Sequence, residues 1–151
     1  MAGYYDSSLL LAAALGQFAA ADYADAWDGE VVRVASLLLR IECVVALRRA
    51  AVAGGQKPDG RWVRARLSAV APFLDAVTTQ AVDDRIEEIV RAEPRLAQCR
   101  ALDAVHLATA LYLRDFLDEP LRVCSLDKRL RAAAVDLGFE VRPQAMPVGL
   151  R

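Results

Sequence analysis

Residues 3–9 read Gly3-Tyr4-Tyr5-Asp6-Ser7-Ser8-Leu9, and their order decides the fold. A short apolar run gives way to a polar turn that carries an acid, and the turn gives way to a helical run. That order is strand, turn, helix. It recurs near the far end, where Leu121-Arg122-Val123-Cys124 runs through Ser125-Leu126 to Asp127 and a helix predicted over residues 127–137. Gly138 stands just past that helix, and residues 139–141 suit a last short strand.

The middle of the chain fills in the same way. Residues 31–35 are β-branched and bounded by Gly29 and Ser36, which predicts a second strand. Ser36 then opens a long helix over 37–53, closed by Gly54-Gly55. Lys57-Pro58-Asp59-Gly60 is the clearest turn, followed by a helix over 62–71 that Pro72 is expected to end. Residues 73–77 suggest a third strand, with Thr78 or Thr79 capping a charged helix that runs to about Ala92. Residues 19–30 are small and acidic and read as a short helix or loop, and residues 143–151 as a loose tail. Five short strands alternating with helices, without hairpin turns, predict an α/β three-layer sandwich around a mainly parallel five-stranded sheet. The expected organisation is one domain over 1–142 and a tail over 143–151.

Composition narrows the class. The 151 residues carry a net charge of −1, so no global basic field draws the chain to nucleic acid. A hydrophobic fraction of 56 % and a positive mean hydropathy suit either an unusually apolar core or a surface that meets a partner chain. Cys43, Cys99 and Cys124 are odd in number and far apart, so they read as small hydrophobes without a disulfide or metal-ligand spacing. Asp6 stands where a secretory leader needs a cation, and the uncharged run 7–21 is too short to span a bilayer. The expected location is therefore the cytoplasm.

Four acids fall where chemistry gathers. In a parallel sheet the carboxyl ends of all strands share one edge, and ligands bind there. Asp6 and Asp127 each follow a predicted strand, and each alone reads as a helix cap. Asp103 opens the nearly all-apolar helix that begins Leu102-Asp103-Ala104-Val105-His106, and it too suits a cap. Glu42 cannot cap anything. Its helical neighbours are Leu38, Leu39, Val45 and Ala46, so it must snorkel to water, be neutral, or find a partner elsewhere in the chain. If the four converge, two carboxylates about 4 Å apart repel by about 4 kcal/mol at an effective dielectric near 20. Raised pKa values or a hard oxygen-loving cation such as Mg²⁺ or Mn²⁺ would answer that repulsion. His106, the only histidine, reads as a satisfied buried residue orienting local backbone.

The chain resembles PIN-domain ribonucleases, and within them the VapC-type toxins of bacterial toxin–antitoxin pairs. The resemblance rests on Tyr5-Asp6-Ser7-Ser8, on Ser36 with Glu42 six residues on, on Leu102 through Ala110, and on Ser125-Leu126-Asp127-Lys128-Arg129-Leu130. It implies a Mg²⁺ (or Mn²⁺) site with Asp6 and Asp103 as principal ligands and Glu42 and Asp127 completing it directly or through water. It further implies endonucleolytic RNA cleavage leaving 5′-phosphate and 3′-hydroxyl ends, a homodimer, and a cognate antitoxin protein as inhibitor. Ser7 or Ser125 would bond ligand carboxylates or cap the following helix. Arg61, Arg64 and Arg66 with Trp62 suit RNA or a partner, and Lys128 and Arg129 suit RNA or a solvated face. The apolar first and third helices suit an antitoxin groove or plain core. Two other readings stand beside the nuclease: a non-catalytic PIN-fold module that binds RNA or antitoxin, and a phospho-receiver-type signalling domain.

Overall fold

The computed structural model describes residues 1–17 and 24–146. Among them five strands form one all-parallel sheet in the order β3-β2-β1-β4-β5. They are β1 (Ala2–Tyr5), β2 (Val32–Ser36), β3 (Thr78–Gln80), β4 (Leu121–Cys124) and β5 (Glu140–Arg142). Strand β1 lies at the centre, with Tyr4 level with Val34 on one side and Val123 on the other. A central parallel strand is covered on both faces, and all four β1 residues are buried.

The pleat divides the core in two. Tyr4, Val34 and Val123 point to one face, where α5 (Asp84–Ala92), α6 (Ala101–Arg114) and α7 (Lys128–Asp136) supply Ile86, Leu107, Ala108, Leu111, Leu130 and Ala134. Tyr5, Ala35 and Cys124 point to the other, against Leu9 and Leu10 of α1 (Ser7–Leu15), Leu39, Cys43 and Leu47 of α3 (Leu38–Ala53), and Val70 and Leu74 of α4 (Arg61–Asp75). A short α2 (Ala24–Trp27) places Trp27 edge-on to Tyr5 and Phe73. The three-layer α/β expectation holds, and the sheet is parallel throughout. Cys43 and Cys124 are buried thiols and Cys99 is half-buried, all three free.

One region differs from the sequence reading. Helix α4 runs through Pro72 to Asp75, so residues 73–77 are not a strand. Leu74 is needed in the core one turn beyond Val70, and Phe73 packs on Trp27 at 5.1 Å between ring centroids, so tertiary packing outweighs the proline in the last turn. The third strand is instead Thr78–Gln80, and Asp83 caps α5 by accepting from the Arg85 N–H at 3.1 Å. Thr78 and Thr79 are therefore strand residues, not caps. A short polar strand at the sheet's edge discourages pairing with another chain. The expected helix or loop at 19–30 is borne out over 24–30, as α2 and the turn after it, while 19–23 lie outside the described residues. The same holds for 147–151 of the expected tail, whereas Met146 packs against the α1/α3/α4 side of the core. Among the described residues no helix is long and apolar enough to cross a membrane.

Candidate active site at the carboxyl edge of the sheet

Because β1, β2 and β4 run in parallel, Tyr5, Ser36 and Cys124 end on one edge, and the chain leaves each of them toward an acid or a helix. Asp6 occupies the N-cap position of α1 with extended backbone (φ −97°, ψ 175°), yet its side chain caps nothing. It turns inward instead. Its Oδ1 accepts the Ser8 hydroxyl at 2.7 Å, and only 6 % of the residue is exposed. Burial pushes its carboxyl up to about 6, with Glu42 adding repulsion, while His106, Ser8 and Ser125 pull the other way.

Ser8 is the residue that the sequence undervalued. Its oxygen also accepts the Leu126 N–H at 2.8 Å and lies 3.3 Å from the Ser125 hydroxyl, which in turn accepts the Asp127 N–H at 2.9 Å. Ser8 and Ser125 thus fasten the turn after β1 to the turn after β4. Its signal was its place two residues beyond Asp6, the short-range spacing at which a serine and an aspartate reach each other. Ser7 serves a different acid and hydrogen-bonds toward Glu42.

Glu42 has the partner that its helix could not give it. Its Oε2 lies 3.0 Å from Nε2 of His106, a residue 64 positions away on the opposite layer. The Nδ1 atom of His106 lies 2.9 Å from the Tyr4 hydroxyl, and that oxygen accepts the Ser36 N–H at 3.1 Å. With Ser36 donating to it, the Tyr4 oxygen has its own proton to give to Nδ1, which leaves Nε2–H to donate to Glu42. His106 is buried and satisfied, as expected, but by side chains from β1 and α3, not by local backbone. Burial raises the Glu42 carboxyl, but the hydrogen bonds from His106 and Ser7 outweigh it and hold Glu42 below its usual range.

Asp103 is not the cap of its helix. Arg100 takes that position, and Asp103 sits in the first turn, half-buried. Burial raises its carboxyl first and the charge of Asp127 second, with Glu42 adding to the rise and Arg100 and His106 offsetting it. Asp127 is a true N-cap: its Oδ1 accepts from Arg129 N at 2.7 Å and Leu130 N at 3.1 Å. The four acids therefore share one edge and feel one another's charge. Among the described residues, however, no three of the histidine, cysteine, aspartate and glutamate side chains stand close enough to clasp one ion.

An all-oxygen donor set at the carboxyl edge of a parallel sheet suits a hard dication, which keeps much of its water and needs only one or two carboxylates. A parallel α/β sheet of this topology binds its ligands at this edge. A PIN domain profile matches residues 4–136, and the chain belongs to the PIN domain family. PIN domains are as a class nuclease folds that usually work with divalent metals. No curated protein matches the chain. The strand order 3-2-1-4-5 also differs from the 2-1-3-4-5 order of receiver-type domains, so the phospho-receiver reading is set aside.

Proposed function

We propose that the chain is a Mg²⁺-dependent endoribonuclease that acts as the toxin of a type II toxin–antitoxin pair, with a cognate antitoxin protein as its inhibitor and a homodimer as its working form. The observation that carries the nuclease reading is the placement of Asp6, Asp103, Asp127 and Glu42 around the carboxyl edge of the parallel sheet in a chain that matches the PIN domain over residues 4–136. A cation bound among these acids would offset the cost of burying Asp6 and of setting Asp103 near Asp127 and Glu42.

In this reading Asp6 and Asp103 hold Mg²⁺ or Mn²⁺, and Glu42 and Asp127 join directly or through water. An ion held there would supply Lewis acidity for activating a water and for stabilising charge on the departing oxygen. The chain's own work is positional. Ser8 fixes one oxygen of Asp6, His106 holds Glu42 through Nε2, and the backbone of Arg129 and Leu130 holds Asp127. Each fixed carboxylate loses little rotamer freedom on meeting the ion. That no three such side chains among the described residues stand close enough to clasp one ion favours the alternative, a PIN-fold module that binds RNA or antitoxin without cutting.

Purified protein freed of bound partner should cut RNA with Mg²⁺ or Mn²⁺ and stop with EDTA. Asp103→Asn should lower kcat by roughly a hundredfold or more without lowering the melting temperature, the scale at which loss of one preorganised charge group is felt. Cleavage by Asp103→Asn at the unaltered rate would sink the site assignment. Growth arrest on expression, relieved by a co-expressed neighbouring partner, tests the toxin role.

A further inference from the structure

A cavity of about 450 Å³ opens beside the acidic edge, walled by Leu38, Ile41 and Val45 of α3 and by Leu102 of α6. Glu42 stands at one end and Arg49 at the other, two helical turns further along α3. Its walls are unusually wet for such side chains: Ile41 is 52 % exposed, Leu102 51 % and Val45 40 %. Helix α3 therefore has apolar residues on two sides, with Leu39, Cys43 and Leu47 in the core and Ile41 and Val45 facing out. The core explains the first set only. Arg49 is exposed, and among the described residues no acid pairs with it.

We propose that this cavity is a nucleotide subsite of the nuclease, in which the base beside the scissile phosphate lies against Ile41, Val45 and Leu102 while Arg49 meets a flanking phosphate. The inference rests on the nuclease reading, since that reading puts the scissile phosphate at Asp103 and Glu42. Leu102 directly precedes Asp103 and Ile41 directly precedes Glu42, so the apolar wall begins where the acids end. Seven residues separate Glu42 from Arg49, about 10 Å along a helix axis. The charge order fits a nucleotide chain: acids with their cation at the phosphate being cut, an apolar wall for a base face, and Arg49, with Arg48 beside it, for the next phosphate. A duplex hides its base faces, so the subsite selects single-stranded or looped RNA.

The test is fluorescence anisotropy with a labelled single-stranded RNA 12-mer of mixed sequence, with Ca²⁺ in place of Mg²⁺ to slow cutting, across a range of salt. Arg49→Ala should weaken binding roughly fivefold to tenfold and flatten the slope of log K against log salt by about 0.7, the share of one phosphate on a single strand. Val45→Trp, which fills the cavity from an exposed position, should weaken binding by a similar factor and leave the salt slope unchanged. A matched RNA duplex should respond to neither variant. Unchanged single-strand affinity in both variants, with RNA cutting intact, overturns the subsite and leaves the nuclease standing. Intact RNA affinity with a Val45→Trp change in molecular mass in solution also overturns it, because the face then joins copies of the chain. Failure of the unaltered protein to cut any RNA, with RNA binding still dependent on Arg49, overturns the nuclease reading instead.

Discussion

Replacing Asp6 by Asn should stabilise the metal-free protein while destroying its activity. The folded chain holds the Asp6 proton more tightly than the unfolded chain does, because burial raises its carboxyl from 3.8 to about 6. Below about pH 4 both states carry that proton and the acid costs nothing. As pH rises from about 4 to about 6 the unfolded state gives up its proton first, and the folded state is progressively penalised. At 1.36 kcal/mol per pH unit the full penalty above pH 6 is about 3 kcal/mol. Asn keeps the size of the side chain and an oxygen for the Ser8 hydroxyl, and it has no charge to desolvate. The stability gap between Asp6→Asn and the unaltered protein, read by urea unfolding in EDTA, should therefore be near zero at pH 4 and about 3 kcal/mol in favour of Asn at pH 7.5. That gap corresponds to about 6–12 °C in melting temperature for a chain of this size. Titrating groups that do not face Asp6 cancel in the difference, leaving its own carboxyl and its coupling to Glu42 and His106. Adding Mg²⁺ should narrow the gap at pH 7.5, because only the aspartate gains from the ion. A gap that stays flat between pH 4 and pH 7.5, or an Asn variant less stable at pH 7.5, would refute the argument.

Asp127→Ala should cost about 0.5–2 kcal/mol through the lost cap, whereas Asp127→Asn should keep most of the cap. Loss of cutting in the Asn variant at unchanged stability would assign Asp127 to the site as well as to the helix. His106→Ala should destabilise by about 3 kcal/mol or more, since it leaves a cavity and strands both the Tyr4 hydroxyl and Glu42. A loss below 1 kcal/mol in urea unfolding would show that the network does not hold the two layers together. Gly3→Ala places a Cβ 2.9 Å from both Glu30 Cγ and Tyr5 Cε2, and 3.1 Å from Cys124 Sγ. All three neighbours are buried, and Glu30 is held by Arg122 at 3.1 Å, so the substitution should cost about 1–3 kcal/mol in thermal unfolding.

Much of this fold was legible because its decisive signals are local. A strand, an acid and a helix follow one another at Tyr5-Asp6-Ser7, and again at Cys124 through Lys128. The parallel sheet turns that repetition in sequence into one edge in space. Residues 73–77 misled because an apolar run of five suits a strand and a helix's last turn equally, and only Trp27 and the α4 packing face decide between them. The strand that exists there, Thr78–Gln80, is short and polar and gives almost no periodic signal. The acids were located by position, but their supports were not. Glu42 reads as isolated because its partner is 64 residues away, and His106 reads as self-contained because Tyr4 is 102 residues before it. Such contacts follow from the sheet order, which hydrophobic period alone does not supply.

The bond between Ser8 and the amide of Leu126 spans 118 residues. Strand β1 precedes the other four, yet it sits at the centre of the sheet and needs β4, more than a hundred residues further on, as one of its two neighbours. A ribosome that has released only the first hundred residues has exposed Asp6 and Glu42 but neither Asp103, Asp127 nor the strand that aligns them. The edge therefore closes late in synthesis, and a chain interrupted before residue 121 carries the opening motif without a working site.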